Sequence, residues 1–449
     1  MPAATRPSRA VIPGVSPARA CAFAVVRRVF EQGAYADRAL MAEASGLEPR
    51  DRALATALAY GAVQRRATLD HVIEQLADRS VRRLQAPVLA ALRLGLLQLL
   101  FLDGVAEHAA VHESVELAKT GGSEGGAGLV NAVLRRAARE GRELLAELSD
   151  ETPEQAAVLH SVPTWLAELW FNELGSDTAR GLLARINEPA ESALRVNTLL
   201  ATREEVEAAL PVPTSPVADL PEALILEGAF DVHGSELWRR GAVMPQSRAS
   251  MLAARALHPA PNTRVLDLCA APGAKTSQLA ALTGGGELMI AVERHAGRAR
   301  ALTETLARMH VRAEVEVADA AQPRPAGEQF DAVLVDPPCS GLGTLQSRPD
   351  LRWRSSPERI AELSTLQARI LRAAAQATAP GGALVYSVCT ISRAESEPLV
   401  AAFLAERKDF AVEELGPMLP SAAAGPYLQT LPHREGSDGF FVARLRRSG

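Results

Sequence analysis

The sequence predicts an α/β chain in three parts: a helical bundle, a small α+β connecting segment, and a C-terminal domain on a Rossmann-like, doubly wound parallel sheet. Three observations predict it. Apolar residues recur at helical spacing from Ser16 to Arg142, prolines interrupt short mixed patterns over 145–245, and β-rich runs alternate with helical stretches after Pro261. The domains expected are therefore 1–15 as a disordered start, 16–142, 145–245 and 246–449.

The first part carries helical patterns at Ala20–Phe30, Asp51–Tyr60, Leu69–Leu76, Val88–Leu102, His112–Ala118 and Leu129–Ala138, with a loop expected over Gly121–Gly128. Pro87 sits where a first helical turn accepts it. The longest apolar stretch, Ala86–Leu102, contains Arg93 and Gln98 and is shorter than the roughly 20 residues a membrane span needs, so a buried helix is expected. Residues before Ser16 hold Arg6, Arg9 and three prolines but no apolar signal core. In the second part, helices are expected at Thr164–Leu174, Ala179–Arg185 and Glu204–Ala209 and a strand at Arg195–Leu199, after which Pro211, Pro213 and Pro216 break the pattern. In the third, strands are expected at Arg264–Leu268, Glu287–Val292, Ala313–Val317, Ala332–Val335 and Ala383–Ser387, with helices at Lys275–Ala281, Arg298–Met309 and Ile360–Ala377 between them.

Composition bounds the function classes. Of 449 residues, 47% are hydrophobic and 22% charged, which fits a globular, cytoplasmic protein with ample core. Four scattered cysteines, Cys21, Cys269, Cys339 and Cys389, make neither a disulfide framework nor a metal-ligand pair, so no metal is expected. The net charge of −5 does not by itself advertise a nucleic-acid protein, but binding depends on local fields. Arg65–Arg66, Arg79, Arg82–Arg83 and Arg135–Arg136 are basic spots on the helical part. Lysine occurs only at 119, 275 and 408.

Chemistry-bearing residues gather at the strand ends. The first strand runs into Asp267 and the loop Cys269-Ala270-Ala271-Pro272-Gly273-Ala274-Lys275; the next four end near Glu293, Asp319, Asp336 and Cys389. A single acid after a strand is an ordinary helix cap. Five strands that each place an acid or thiol at the carboxyl edge of an open parallel sheet mark a ligand site. A phosphate loop needs glycine immediately before the lysine and again five positions earlier, where this chain has Ala274 and Cys269; the dinucleotide fingerprint is absent as well. A tight turn, a helix start and an acid at the second tip fit a nucleoside cofactor without polyphosphate. Each cysteine taken alone reads as a small buried side chain, but Asp336-Pro337-Pro338-Cys339 and Tyr386-Ser387-Val388-Cys389 put two of four at adjacent tips.

These stretches, VLDLCAAPGAKT, DPPCSGLG and YSVCTI, resemble the Nop2/Sun-type RNA 5-methylcytosine methyltransferases, and the helical front resembles the NusB fold, a fusion typical of bacterial ribosomal RNA enzymes of this family. Leu194-Arg195-Val196-Asn197-Thr198 and Asp438-Gly439-Phe440-Phe441 also match, so the likeness covers nearly all the chain after residue 16. It implies that Cys269–Lys275 holds S-adenosylmethionine, with Glu293 at the ribose, Asp319 near the adenine and Asp336 between cofactor and base. It implies Cys389 as nucleophile and Cys339 in product release. The implied partner is ribosomal RNA, with no membrane and no obligate protein partner, and the implied state is a monomer. Three departures stand out: Ala274 for the usual glycine, Ser247 after Gln246 where an acid is more usual, and Ser396 for an asparagine.

The chemistry explains the residue types. Carbon 5 of cytosine is a poor nucleophile until a thiolate adds to carbon 6, and a thiol of ordinary pKa near about 8.5 is only slightly ionised at neutral pH. The site must supply help: Lys275 is expected to aim its ammonium inward, and Asp336 to hold the base edge. The base must also leave its stack; Arg348, Arg352, Trp353 and Arg354 are the expected RNA contacts. Transfer RNA or another RNA as substrate, a DNA cytosine methyltransferase using Cys339 as nucleophile, and a non-catalytic RNA-binding assembly factor are the alternatives.

Overall fold

A computed structural model describes residues 12–120, 124–419 and 425–449. Contacts divide the chain into two compact units, 1–187 with 347–354, and 188–346 with 355–449. The segment expected as one connecting domain is thereby divided: its helices Pro153–Leu159, Thr164–Leu174 and Ser176–Arg185 count with the first unit and its strands with the second.

The first unit is all helical. Helix Ala86–Phe101 is apolar around most of its circumference and is correspondingly buried, with Pro87 in its first turn. Its two polar side chains are satisfied: Arg93 forms a bidentate pair with Asp70 at 2.7 Å, and Gln98 accepts from Arg19 and donates to the Leu94 carbonyl. Pro17–Gln32, Pro49–Gln64, Arg66–Ala77, Glu107–Thr120 and Glu124–Ala146 contribute to the same core. Three details differ from the sequence expectation. Ala36–Glu43 is an additional helix, the Gly121–Gly128 stretch is already helical from Glu124, and Ile12 and Val15 pack against the core, so order begins before residue 16. The rest of the expected disordered start, residues 1–11, lies outside the described residues, as do 121–123 of that loop. No helix among the described residues is long and apolar enough to cross a membrane.

The second unit opens with a four-stranded antiparallel sheet of β1 (Ala193–Val196), β2 (Thr214–Val217), β3 (Leu220–Leu226) and β4 (Val243–Pro245), in the order β2-β3-β1-β4. Pro216 does not break the chain but lies in β2. As an edge strand, β2 tolerates the missing donor.

The larger sheet contains β5 (Val265–Leu268), β6 (Met289–Val292), β7 (Glu314–Glu316), β8 (Phe330–Val335), β9 (Thr378–Val388), β10 (Phe410–Val412), β11 (Tyr427–Gln429) and β12 (Phe441–Arg447). Its order is β10-β12-β9-β8-β5-β6-β7, with β11 beside β12. The five expected strands are mutually parallel, whereas β12 pairs antiparallel with β9 and carries β10 and β11, so the sheet is mixed. Alternate residues serve opposite faces: Val265, Ala332 and Leu334 pack with Leu257, Leu279 and Leu302, while Leu266, Val333 and Val335 pack with Ile370, Leu371 and Val400. That two-sided burial is why these strands read as continuous apolar runs. From β5 the chain proceeds outward to β6 and β7, then returns to β8 on the other side of β5, which leaves a crevice at the carboxyl edge.

Candidate active site

The register brings the two cysteines together. Val335 of β8 pairs with Tyr386 of β9, so the chain leaves both strands at nearly the same level, and the Cys339 and Cys389 sulfurs end 3.2 Å apart. Both side chains are partly exposed. The hydrogen bond with Cys389 and burial push the Cys339 thiol well above its ordinary value.

Asp336 sits at the end of β8. Its carboxylate accepts from the Lys275 ammonium at 2.7 Å and from the Ser387 hydroxyl at 3.1 Å. Burial alone would lower the Lys275 pKa, but Asp336 outweighs it and the ammonium is held above its usual range. The Phe440 ring lies 5.1 Å from the Lys275 nitrogen. The Lys275 ammonium thus lies against Asp336 at the carboxyl end of β8.

The loop Cys269–Lys275 is a compact turn. The Ala270 N–H donates to the Val292 carbonyl of β6, the Gly273 N–H to the Ala270 carbonyl, and Arg298 to the Ala271 carbonyl. Pro272 follows a cis peptide bond. Gly273 has φ +105°, and a Cβ there would come within 2.9 Å of Leu302, so only glycine suits the turn. Ala274 then opens helix Ala274–Thr283 in ordinary helical backbone, so alanine there costs nothing. Ser247, the second departure, caps helix Arg248–Leu257 by accepting from the Ser250 N–H, work an acid would also do. Ser396, the third, bonds the Arg393 carbonyl.

One cavity is lined by Cys269, Glu293, Asp319, Ala320 and Pro338. The Glu293 side chain is 3% exposed, and one of its oxygens accepts from the His295 N–H at 2.8 Å. Asp319 accepts from the Ala321 N–H. Glu293 pairs with Arg298 at 3.4 Å and Asp336 with Lys275 at 2.7 Å, so carboxylate and cation alternate along this edge. Carboxylates so placed accept ribose hydroxyls. The residues present therefore fit S-adenosylmethionine. Burial pushes Asp267 up to about 7, and it accepts from Thr276 at 2.6 Å beneath the loop. Burial also pushes the Cys269 thiol up, which suits a backbone role at its φ of +67° and not attack.

The expected RNA contacts divide differently. Arg352 is completely buried in the first unit, where it donates to the carbonyls of Gln64, Ser161 and Ile186 and to the Asn187 side chain. Trp353 donates to the Val63 carbonyl at 2.7 Å and lies under the Arg66 guanidinium. Arg352 is thus an internal peg, whereas Trp353 is half-buried against the same core. Arg354 stacks on Tyr35 in the same unit, and Arg348 is exposed.

Comparison with known proteins joins these features. Residues 254–446 match the family described as 16S rRNA methyltransferase RsmB/F, residues 16–139 the NusB family, and 162–233 the ferredoxin-like domain of RsmF/B-like methyltransferases. The ribosomal RNA small subunit methyltransferase B of Thermus thermophilus is 39% identical, over 96% of this chain and 97% of its own. The probable ribosomal RNA small subunit methyltransferase B of a Synechocystis strain is 36% identical over 96% and 99%. The chain belongs to the RsmB/F methyltransferase family. Among solved structures, PH0851 aligns with a TM-score of 0.81 at 26% identity, covering 98% of this chain and 100% of its own.

Family membership gives sense to residues whose roles sequence reasoning left open. Arg195, fully buried, braces the start of the cofactor-loop helix through the Ser277 hydroxyl at 2.6 Å and the Ala274 carbonyl, while Gln246 orients it. Burial lowers its pKa to about 10. Asn197 ties the Gly241 and Met309 carbonyls. Gly439 packs on Gly343, where a Cβ on the latter would meet the Gly439 carbonyl at 1.8 Å; this seats the C-terminal motif on the loop after Cys339. In the sequence Glu395 stands out only as an acid flanking Ser396, six residues past Cys389, with no role attached.

Proposed function

We propose that this chain transfers a methyl group from S-adenosylmethionine to carbon 5 of a cytosine in small-subunit ribosomal RNA, through a covalent bond between Cys389 and carbon 6. The observation that carries the reading is the contact of two sulfurs, 3.2 Å apart, beside the Lys275–Asp336 pair. The names of the relatives support the RNA class.

Glu293, Asp319 and the Cys269–Lys275 loop would hold the cofactor, which supplies an electrophilic methyl group on a sulfonium. The chain's own residues do the rest. Cys389 adds to carbon 6 and so makes carbon 5 electron-rich. Asp336, fixed by Lys275 and Ser387, is set to bind the polar edge of the base, and the Lys275 charge favours the electron density that develops as the thiolate adds. Once carbon 5 carries its methyl group, its proton must leave before the Cys389–carbon bond breaks. A base takes that proton, the bond between carbons 5 and 6 becomes double again and Cys389 leaves carbon 6 as the thiolate; Cys339, in contact with Cys389, stands at that step.

Bisulfite sequencing of ribosomal RNA from cells with and without the gene tests the reading. One small-subunit cytosine should lose its protection when the gene is removed; an unchanged pattern would reject it.

A further inference from the structure

Glu395 lies in the short turn Arg393–Glu395 that follows the Cys389 tip, and it is completely buried. Its carboxylate is surrounded by neutral donors. One oxygen accepts from the Ser340 N–H at 2.9 Å and from Gln367 at 2.8 Å; the other accepts from the Ser340 hydroxyl at 2.5 Å and the Thr390 hydroxyl at 3.2 Å. Ser340 directly follows Cys339, and Thr390 directly follows Cys389. Their hydroxyls are 2.7 Å apart. Gln367 also donates to the Pro338 carbonyl, on the other side of Cys339, and the Tyr386 hydroxyl donates to the Glu395 carbonyl at 2.8 Å.

One carboxylate therefore ties down the residue that follows each sulfur. We propose that Glu395 is a positioning residue: it holds the Cys339 and Cys389 loops so that the sulfurs stay in contact, and its charge assigns them different work. The proposal rests on Cys389 being the nucleophile. A buried negative charge beside Cys339 favours the neutral thiol there, so that Cys389 is the sulfur left to attack. It acts with the Cys389 hydrogen bond and with burial, which already push that thiol up. The other titratable groups around Cys339 are Asp336 and Tyr386. An amide in place of the carboxylate would remove the charge while keeping the shape.

The test uses the full chain as wild type and Glu395→Gln. Iodoacetamide labelling of each cysteine across pH is read by peptide mass spectrometry, and covalent capture is followed on ribosomal RNA carrying 5-fluorocytosine. In Glu395→Gln the labelling midpoint of Cys339 should move to lower pH and capture should slow by about tenfold or more, with S-adenosylmethionine binding unchanged by calorimetry. A folded variant that shows only one of these changes, or neither, overturns the proposal and leaves Cys389 as nucleophile. Absence of capture by the wild type overturns the nucleophile reading, and this proposal with it. Should Glu395→Gln not fold, Thr390→Val removes one tie and keeps the charge. It should slow capture without moving the Cys339 midpoint, and unchanged capture overturns the proposal.

Discussion

Lys275 and Arg352 are both buried cations, and their surroundings are opposite in kind. Lys275 faces a carboxylate at 2.7 Å and is held above its ordinary pKa; Arg352 donates to backbone carbonyls and an amide oxygen, and burial lowers it to about 9. The first sits at the carboxyl edge of the sheet, among sulfurs and acids. The second pins a connecting segment into a helical core. The difference teaches how a buried charge is to be read: facing another charge at a crevice it is available to chemistry, whereas wrapped in backbone carbonyls it is structure.

The largest effect that sharpens this contrast is on the chemical side. Cys389→Ala should leave less than about a thousandth of wild-type methylation, measured with radiolabelled methyl donor, while the melting temperature stays near that of wild type. Activity above that level would remove Cys389 from the centre of the site. Cys339→Ala should lower turnover about a hundredfold yet accumulate protein–RNA adduct, seen as a slow-migrating band on a denaturing gel. On the structural side, Arg352→Ala should cost about 3 kcal/mol in denaturant unfolding of the helical unit, because several carbonyls lose their donor, with S-adenosylmethionine affinity unaffected. Arg348→Ala, at an exposed position in the same segment, should leave stability alone and weaken RNA binding only a few-fold. If Arg352→Ala instead weakened RNA binding without loss of stability, the contrast would fail.

The smallest effect concerns Asp267. Its folded pKa of about 7 lies above the ordinary carboxylate value near about 3.9, so the native state binds the extra proton between those limits. The stability this group contributes is present at acid pH and lost as pH rises towards 7. Asp267→Asn should flatten the pH dependence of unfolding over that window, and an unchanged slope would contradict the assignment.

How much was legible follows from the same physics. The parallel strands announce themselves because burial on both faces makes each a short apolar run, and the polar residues at their ends then mark one edge. The cysteine pair was legible for that reason. β12 was not, because Phe441–Arg447 holds three arginines among its apolar residues; Arg444 is buried there, bonded to Glu413 and the Ala256 carbonyl. Arg352 misled because an arginine–tryptophan run has the composition of an RNA surface, and only its complete burial among carbonyl acceptors decides otherwise. The role of Glu395 was not legible because an acid among Arg-Ala-Glu-Ser-Glu carries no sign of burial. Its meaning lies in the hydroxyls it meets, Ser340 and Thr390, which are 50 residues apart in the chain.

The central claim is that Cys389, and not Cys339, bonds to the base. Peptide mapping of the adduct formed with 5-fluorocytosine RNA tests it most directly. The nucleotide mass should appear on the peptide that contains Cys389; its appearance on the Cys339 peptide, or on neither, would contradict the account.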